Sequence, residues 1–187
     1  VFYNNLIMNT MLLEQSRVNN VEKFVGINTV NCYPVGTEVP FDENDLWNGL
    51  TDSNVLGYGM AKRMMIMQSI LYKKQYQFNA FNLILESVYG PNDVFEDGKS
   101  RVIPANIKRC LKATKMQSDK ITVWGTGKVI RDFLYIDDAV DGIIASVLSE
   151  HSHDIINIGS GKEIQMKDLI ELIASFSNYK GDIIWDK

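Results

Sequence analysis

The chain contains few of the residues that build disulfide scaffolds or metal centres. Its 187 residues include two cysteines, Cys32 and Cys110, and two histidines, His151 and His153. Two cysteines do not make a disulfide framework, and no set of Cys, Asp or Glu with ligand spacing surrounds the histidines. The sequence therefore predicts no metal site, loop positions for both histidines, a buried thiol at Cys32 and a reducing, cytoplasmic location.

Long apolar segments and an excess of positive charge are also absent. No apolar run approaches the roughly 20 residues that span a bilayer. The net charge of -4 argues against binding to nucleic acid or to anionic membranes. Residues 1–5 lack the charged and apolar regions of a signal peptide. We therefore expect neither a nucleic-acid partner nor a membrane partner.

A third absence concerns a glycine motif. None of the 13 glycines forms the Gly-x-Gly-x-x-Gly or Gly-x-x-Gly-x-x-Gly turn that follows a strand and holds a dinucleotide pyrophosphate. The chain also opens directly in a helical pattern. The sequence thus predicts that an N-terminal dinucleotide-binding half is missing and that the chain is a fragment.

The segments that remain alternate between strand and helix patterns. Helices are predicted over 2–19, 58–74, 102–113, 138–148 and 166–176. Strands or extended segments are predicted over 23–28, 78–87, 121–124, 132–136, 155–158 and 182–185. This alternation predicts an α/β fold with a largely parallel sheet, in which ligands bind at the carboxyl ends of the strands.

One pair of residues in this pattern points to proton chemistry. Tyr58 and Lys62 form a Tyr-x-x-x-Lys at the start of a helix, where positions i and i+4 share a face. A nearby ammonium stabilises phenolate and lowers the pKa of a tyrosine, which can then transfer a proton near neutral pH. Thr29, at the end of an upstream strand, adds a hydroxyl. The alternative for the pair alone is a half-buried tyrosine beside a lysine that extends to solvent.

An ordered series of motifs extends this reading over nearly the whole chain. The motifs are Thr29 before Tyr33-Pro34, Tyr58 with Lys62, Tyr89-Gly-Pro-Asn-Asp93, Val102-Ile-Pro104, Val123-Trp-Gly-Thr-Gly127, Arg131-Asp-Phe-Leu134 and Asp137-Asp138. In this series the chain resembles the extended short-chain dehydrogenase/reductase superfamily, also called the NAD-dependent epimerase/dehydratase family. Within the family it is most similar to the GDP-L-fucose synthase branch.

The resemblance implies a Rossmann-like, doubly wound parallel sheet, present in part, with a small C-terminal α/β substrate-binding part. Residues 1–90 would be the C-terminal half of an NAD(P)-binding domain. Residues 91–187 would mainly bind a nucleotide sugar, with some segments returning to the sheet. A homodimer is also implied, formed through the Tyr-x-x-x-Lys helix and the helix before it. The methionines of the Tyr-x-x-x-Lys helix, Met60, Met64, Met65 and Met67, suit either this contact or core packing.

Roles for individual residues follow from the same resemblance. Tyr58 is the implied acid/base, Lys62 lowers its pKa and holds the nicotinamide ribose, and Thr29 orients the substrate oxygen. The implied cofactor is NADP, with NAD possible, and its contacts are Ile27, Asn28, Thr29, Val30, Tyr58, Lys62, Leu85, Glu86, Ser87, Val88 and Arg101. The implied contacts to a GDP-sugar are Arg109, Trp124 and Arg131. Alternative roles are a surface charge for Arg131 and packing at the core or a domain seam for Trp124.

Two departures from the fucose synthase pattern alter the expected chemistry. That branch carries a cysteine where this chain has Asn31 and a histidine where it has Arg101. The missing pair is associated with proton transfer beside the sugar ketone, and neither substitute can replace it, because Asn does not titrate and Arg stays protonated. Cys32 lies one position after the place of the family's cysteine, and a shift of one residue along a strand turns a side chain to the other face of the sheet.

These departures leave several functions open. We expect a nucleotide-sugar 4-ketoreductase that takes hydride from NADPH, or an epimerase-reductase in which another residue is the base. The alternatives are an NAD-dependent 4-epimerase and an inactive fragment of such an enzyme. Sugar 4,6-dehydration is disfavoured, because Thr29-Val30-Asn31 lacks the two acids that dehydratases carry there.

Overall fold

The computed structural model describes residues 1–150 and 152–186, so the prediction for His151 lies outside the described residues. The helices of this part are Phe2–Val18 (α1), Leu56–Tyr76 (α2), Val102–Lys115 (α3), Ile136–Leu148 (α4) and Met166–Phe176 (α5). The strands are Phe24–Thr29 (β1), Ala80–Leu85 (β2), Ser87–Tyr89 (β3), Lys120–Trp124 (β4), Ile130–Tyr135 (β5), Ile155–Ile158 (β6), Glu163–Gln165 (β7) and Asp182–Asp186 (β8). Two short 3₁₀ turns cover Val30–Cys32 and Glu43–Trp47.

The chain divides into two compact units. The first contains residues 1–86 and 138–159, and the second contains residues 87–137 and 160–186. In the first unit β1, β2 and β6 form a parallel sheet in the order β1-β2-β6. In the second unit β3, β5 and β7 form one sheet, and β4 and β8 pair in parallel as another.

The central strand of the first unit is buried along nearly all of its length. Residues 80–84 of β2 are all buried, as a strand covered on both faces requires. The exception to its apolar run is Asn82, whose Oδ1 accepts a 3.0 Å hydrogen bond from Nδ2 of Asn28. Gly26 on β1 makes room for this amide, because a Cβ at that position would lie 2.3 Å from Oδ1 of Asn82.

A long loop after β1 is fastened to β6 through one residue. The hydroxyl of Tyr33 donates to Oδ1 of Asn157 at 2.8 Å, and Nδ2 of Asn157 donates to the carbonyl oxygen of Phe41 at 2.9 Å. The backbone N–H of Asn157 donates to Oε1 of Glu43 at 2.8 Å. The rings of Tyr33 and Phe41 stack with their centroids 4.5 Å apart. This network holds residues 33–43 in place beside the sheet.

The second unit has its own apolar core between α3, α5 and the strands. Ile103 and Cys110 of α3, Ile121 of β4, and Ile170 and Ile173 of α5 all belong to this cluster. Both α3 and α5 are strongly amphipathic, so their burial follows from the spacing of their apolar residues.

The predicted α/β fold with a Rossmann-like parallel sheet is confirmed, while several elements differ from the prediction in their bounds or number. The strand predicted over 78–87 corresponds to β2, and its last residue, Ser87, begins β3, a separate strand in another sheet. The helix predicted from residue 58 begins at Leu56. The three-residue strand β7 was not predicted, because a segment so short carries no periodic pattern.

Two global features concern membranes and metals. No helix in residues 1–150 and 152–186 is both long and apolar enough to cross a bilayer. Among the side chains that the structure describes, no three of His, Cys, Asp or Glu come together as a metal site would require.

Candidate active site

The strands of the first unit end at a common level. Thr29, the last residue of β1, is in register with Leu85, the last residue of β2. Leu85 is in turn in register with Ile158, the last residue of β6. Open α/β sheets bind ligands at the carboxyl ends of their parallel strands. These three residues therefore mark the edge of the sheet at which a ligand is expected.

Helix α2 fixes the position of the lysine near this edge. Tyr58 lies half-buried in the first turn of α2, and Lys62 follows one turn later. The ammonium of Lys62 donates a 2.8 Å hydrogen bond to the carbonyl oxygen of Ile27 in β1. Burial lowers the pKa of Lys62 from its ordinary value. The ammonium is therefore held at the end of β1 while its other two protons remain available to a ligand.

Thr29 starts the turn that follows β1. Its Oγ1 accepts a 3.4 Å hydrogen bond from the backbone N–H of Asn31, which caps the 3₁₀ turn Val30–Cys32. An oxygen that accepts this bond can still donate its own proton. The hydroxyl of Thr29 is therefore suited to donate to a ligand oxygen.

The other residues predicted to contact the cofactor here differ in which of their groups a ligand can reach. Ile27 exposes 38% of its surface, and Val30 is half-buried. Asn28 is 4% exposed and its amide turns inward to Asn82, so only its backbone can contact a ligand from this side. At the end of β2, Leu85 and Glu86 are half-buried, and the backbone N–H of Glu86 donates to the carbonyl oxygen of Ile158 at 3.0 Å.

The second unit contains a cavity of about 250 Å³. Its lining includes Ser87, Val88, Arg101 and Arg131 from the predicted set, together with Tyr89, Asp93, Ser100, Val102, Ile103, Pro104 and Phe133. Neither guanidinium has an ion-pair or hydrogen-bond partner among the described residues. Asp93 is the only carboxylate in the lining, and its Oδ1 accepts from the N–H of Val94 at 2.7 Å. The charged side chains therefore leave the cavity net positive, as a phosphate-binding site requires.

Two predicted substrate residues do not line this cavity. Arg109 is half-buried on α3, where its guanidinium donates to Oδ1 of Asn106 one turn earlier. Trp124 ends β4 with 86% of its surface exposed. The structure thus groups Arg101 and Arg131 but leaves the other two apart from them.

Sequence reasoning did not select Arg63, which immediately follows Lys62. Arg63 is only 5% exposed. Its Nε donates to the carbonyl oxygen of Cys32 at 3.0 Å and its Nη1 to that of Gly49 at 2.6 Å. The spacing offered a clue, because Arg63 lies four residues after Gly59 and three before Ile66, both buried on the same face of α2.

The side chains beside the expected site for epimerase chemistry are unsuited to act as bases. Cys32 is fully buried, and burial raises the pKa of its thiol to about 11. Asn31 does not titrate, and Arg101 stays protonated near neutral pH. None of these three side chains is therefore suited to remove a proton near neutral pH.

Comparison with known proteins settles the family. The model of the NAD dependent epimerase/dehydratase family matches residues 1–159. The chain belongs to this family. A probable GDP-L-fucose synthase 1 of Oryza sativa subsp. japonica is 31% identical over 183 residues, and a GDP-L-fucose synthase of Sinorhizobium fredii is 33% identical over 184 residues. These alignments cover 97% and 98% of this chain.

A solved structure agrees with the fold of this family member. The GDP-L-fucose synthetase of Naegleria fowleri bound to NADP superposes with a TM-score of 0.91 at 24% identity, covering 99% of this chain and 60% of that one. The chain spans 56% and 59% of the two curated relatives. The resemblance inferred from the motif series is thus confirmed at the level of family and fold.

The buried thiols lead to a test of the site's chemistry. With a pKa of about 11, roughly one Cys32 thiol in a thousand is ionised at pH 8, and only thiolate reacts with Ellman's reagent. We expect both thiols of the native protein to react slowly at pH 8 and both to react at once in 6 M guanidinium chloride. The variants Cys32→Ala and Cys110→Ala assign each reaction. A fast native thiol that disappears in Cys32→Ala would show that Cys32 is reactive after all.

Proposed function

We propose that this chain is part of an NADPH-dependent 4-ketoreductase for nucleotide sugars. The observation that carries the proposal is the contrast between two sets of groups. A hydroxyl and an ammonium are held at the end of β1 by Asn31 N–H and by the carbonyl oxygen of Ile27. At the positions that epimerase chemistry needs, the chain has Asn31 and Arg101 instead.

The residues at this edge fit the nicotinamide half of the cofactor. An ammonium and a phenol, from Lys62 and Tyr58, suit the ribose diol, and the exposed Ile27 offers an apolar surface to the ring. The proposed contacts are Ile27, Asn28, Thr29, Val30, Tyr58, Lys62, Leu85, Glu86, Ser87, Val88 and Arg101. When bound, NADPH supplies the hydride that reduces the sugar ketone.

The chain's own residues would handle the proton. Hydride addition to the C4 carbonyl carbon leaves an alkoxide, which needs one proton to become the product alcohol. Tyr58 donates this proton from its phenol, and Thr29 donates a hydrogen bond to the same oxygen. Lys62 stabilises the tyrosinate that results, and solvent then returns the proton to Tyr58.

The positive cavity of the second unit supports a nucleotide diphosphate as the substrate handle. We propose that Arg131 binds phosphate oxygens through its planar fork of donors, as guanidinium groups do well. Arg109 and Trp124 stay proposed contacts to the nucleotide, although they do not line the cavity. Residues 1–90 would mainly serve the cofactor and residues 91–187 mainly the sugar nucleotide. Two buried, unpaired cysteines suit a cytoplasmic enzyme.

The first prediction of the proposed function concerns the reaction itself. We expect the complete protein, given NADPH and GDP-4-keto-6-deoxymannose in deuterated water, to consume NADPH without placing deuterium on the carbons beside the former ketone. The reason is that neither Asn31 nor Arg101 can remove the protons on these carbons and so allow deuterium to replace them. The measurement is NADPH absorbance with mass spectrometry of the product, and a GDP-L-fucose synthase run in parallel gives the reference for incorporation.

Each other outcome selects another function. Ring deuterium with NADPH consumption indicates an epimerase-reductase, a candidate favoured by the names of the curated relatives. Conversion of a GDP-sugar without added reductant indicates a 4-epimerase with bound NAD. Absence of nicotinamide nucleotide binding indicates an inactive member of the family.

The second prediction concerns the proton donor. Replacing Tyr58 by Phe removes the phenol and should lower kcat by roughly 10²–10⁴-fold, the usual contribution of a general acid. Tyr76→Phe is the matched control on the same helix, because Tyr76 is 45% exposed near its far end. Steady-state kinetics of both variants measure the effect. Full activity of Tyr58→Phe would remove Tyr58 from the mechanism.

The third prediction concerns assembly, for which we propose a homodimer through α1 and α2. These helices pack on each other through Thr10 and Gln68, and their outer residues Met11, Met64 and Leu71 are 54%, 41% and 50% exposed. Met65 is buried and belongs to the core instead. Apolar surface of this kind is stabilised by burial against a second copy.

Sedimentation equilibrium tests this assembly. We expect twice the monomer mass for the native protein and the monomer mass for Leu71→Glu, since a carboxylate in the contact would lose its hydration. Leu148→Glu is the control, because Leu148 is 78% exposed and belongs to α4, outside the proposed contact. A native protein that sediments as a monomer, or a Leu71→Glu variant that stays dimeric, contradicts the proposed contact.

A further inference from the structure

Arg63 is a buried cation that forms no ion pair with any of the described side chains. Only 5% of its surface is exposed, and burial lowers the pKa of its guanidinium, which remains protonated at any physiological pH. Within residues 1–150 and 152–186, the ion pairs all involve other side chains. A charge in such a position is stabilised only by the hydrogen bonds that it donates.

All hydrogen bonds recorded for Arg63 go to backbone carbonyl groups of two loop segments. Nε and Nη2 both donate to the carbonyl oxygen of Cys32, and Nη1 donates to that of Gly49 at 2.6 Å. The two segments also meet directly, because the N–H of Val35 donates to the carbonyl oxygen of Leu50 at 3.0 Å. Arg63 therefore ties α2 to both segments at once.

Cys32 ends the turn that Thr29 begins. The turn is closed by hydrogen bonds from the N–H of Asn31 to Oγ1 of Thr29 and from the N–H of Tyr33 to the carbonyl oxygen of Val30. We call residues 29–33 the Thr29 turn. Holding the carbonyl group of Cys32 thus restrains the backbone that carries the Thr29 hydroxyl.

Helix α2 contacts the Thr29 turn at two further points. Lys62 donates to the carbonyl oxygen of Ile27, just before the turn. At Gly59 the helix backbone approaches the turn so closely that a Cβ there would lie 2.4 Å from the carbonyl oxygen of Asn31. Gly59, Lys62 and Arg63 therefore fix one turn of α2 against the backbone on both sides of Thr29.

We propose that Arg63 is a positioning residue that sets the place of the Thr29 hydroxyl relative to the helix that carries Tyr58 and Lys62. The inference rests on the proposed reductase function, because Thr29 and Tyr58 must reach the same substrate oxygen. A lysine cannot take over this role, since its donors radiate from one atom and cannot span the carbonyl groups of Cys32 and Gly49.

The kinetic test is a double-mutant cycle in the complete protein. A displacement of about 1 Å in a reacting group can cost roughly 10²-fold in rate, so Arg63→Lys should lower kcat by about 10- to 100-fold. The KM for the sugar nucleotide should change by less than about threefold, because Arg63 is proposed to act on Thr29 and not on substrate binding. In a Thr29→Val background, which lacks the hydroxyl, Arg63→Lys should have little further effect. Arg17→Lys on α1 is the matched control and should keep the native kcat.

The structural test needs neither cofactor nor substrate. We expect the amide of Tyr33 to exchange its hydrogen faster in Arg63→Lys than in the native protein, while amides of β2 exchange at the native rate. Arg63→Gln, which keeps two donors without charge, takes the place of Arg63→Lys if that variant unfolds.

The outcomes separate the two proposals. Equal losses of kcat from Arg63→Lys with and without the Thr29 hydroxyl, or no loss in the native background, overturn the positioning role. Unchanged exchange at Tyr33 also overturns it, whatever the activity. A native protein that lacks reductase activity overturns the proposed function, and the exchange measurement still decides whether Arg63 holds the turn.

Discussion

Hydrogen bonds from one turn of α2 to backbone carbonyl groups define the candidate active site. Lys62 binds the carbonyl group before Thr29, and Arg63 binds the one at Cys32 after it. Because both acceptors belong to the main chain, these two hydrogen bonds restrain the backbone at Thr29 without involving side chains of the loop. The helix that carries the proposed acid therefore also holds its proposed partner, so that the relative positions of the two groups are fixed by one rigid element.

Lys62 and Arg63 differ in their exposure to solvent, and this difference separates their roles. Lys62 is half-buried and keeps donors for a ligand, whereas Arg63 has 5% of its surface exposed and uses its fork on backbone groups. Desolvation lowers the pKa of both side chains, but arginine starts from so high a pKa that its guanidinium stays protonated. Arginine suits the structural task, because its charge is retained in a buried site.

Most of the fold could be predicted from periodicity, but its connections could not. Alternating apolar patterns located the five helices and the longer strands, and the motif series located Tyr58, Lys62 and Thr29. The pattern gave no sign that the chain enters another sheet after Glu86, because the three residues of β3 are too few to show a period. Arg63 was overlooked because a charged residue is expected at the surface, and its burial depends on carbonyl groups from two distant loop segments. Burial also determines the chemistry of Cys32, because it raises the pKa of the thiol. The sequence showed only that Cys32 lies one position away from the cysteine of the fucose synthase pattern.

The path of the chain between the two units restricts how the protein can be made. It passes from one unit to the other after residues 86, 137 and 159, so neither unit is encoded by a continuous stretch. During synthesis, residues 1–86 supply β1 and β2 well before β6, whose Asn157 fastens the loop after β1. The sheet is thus left with an open edge until more than 70 further residues have been added, at roughly 5–20 residues per second. Ribosome-associated chaperones have several seconds in which to bind that edge, and truncation after residue 86 or after residue 137 would remove β6 and leave the edge open permanently.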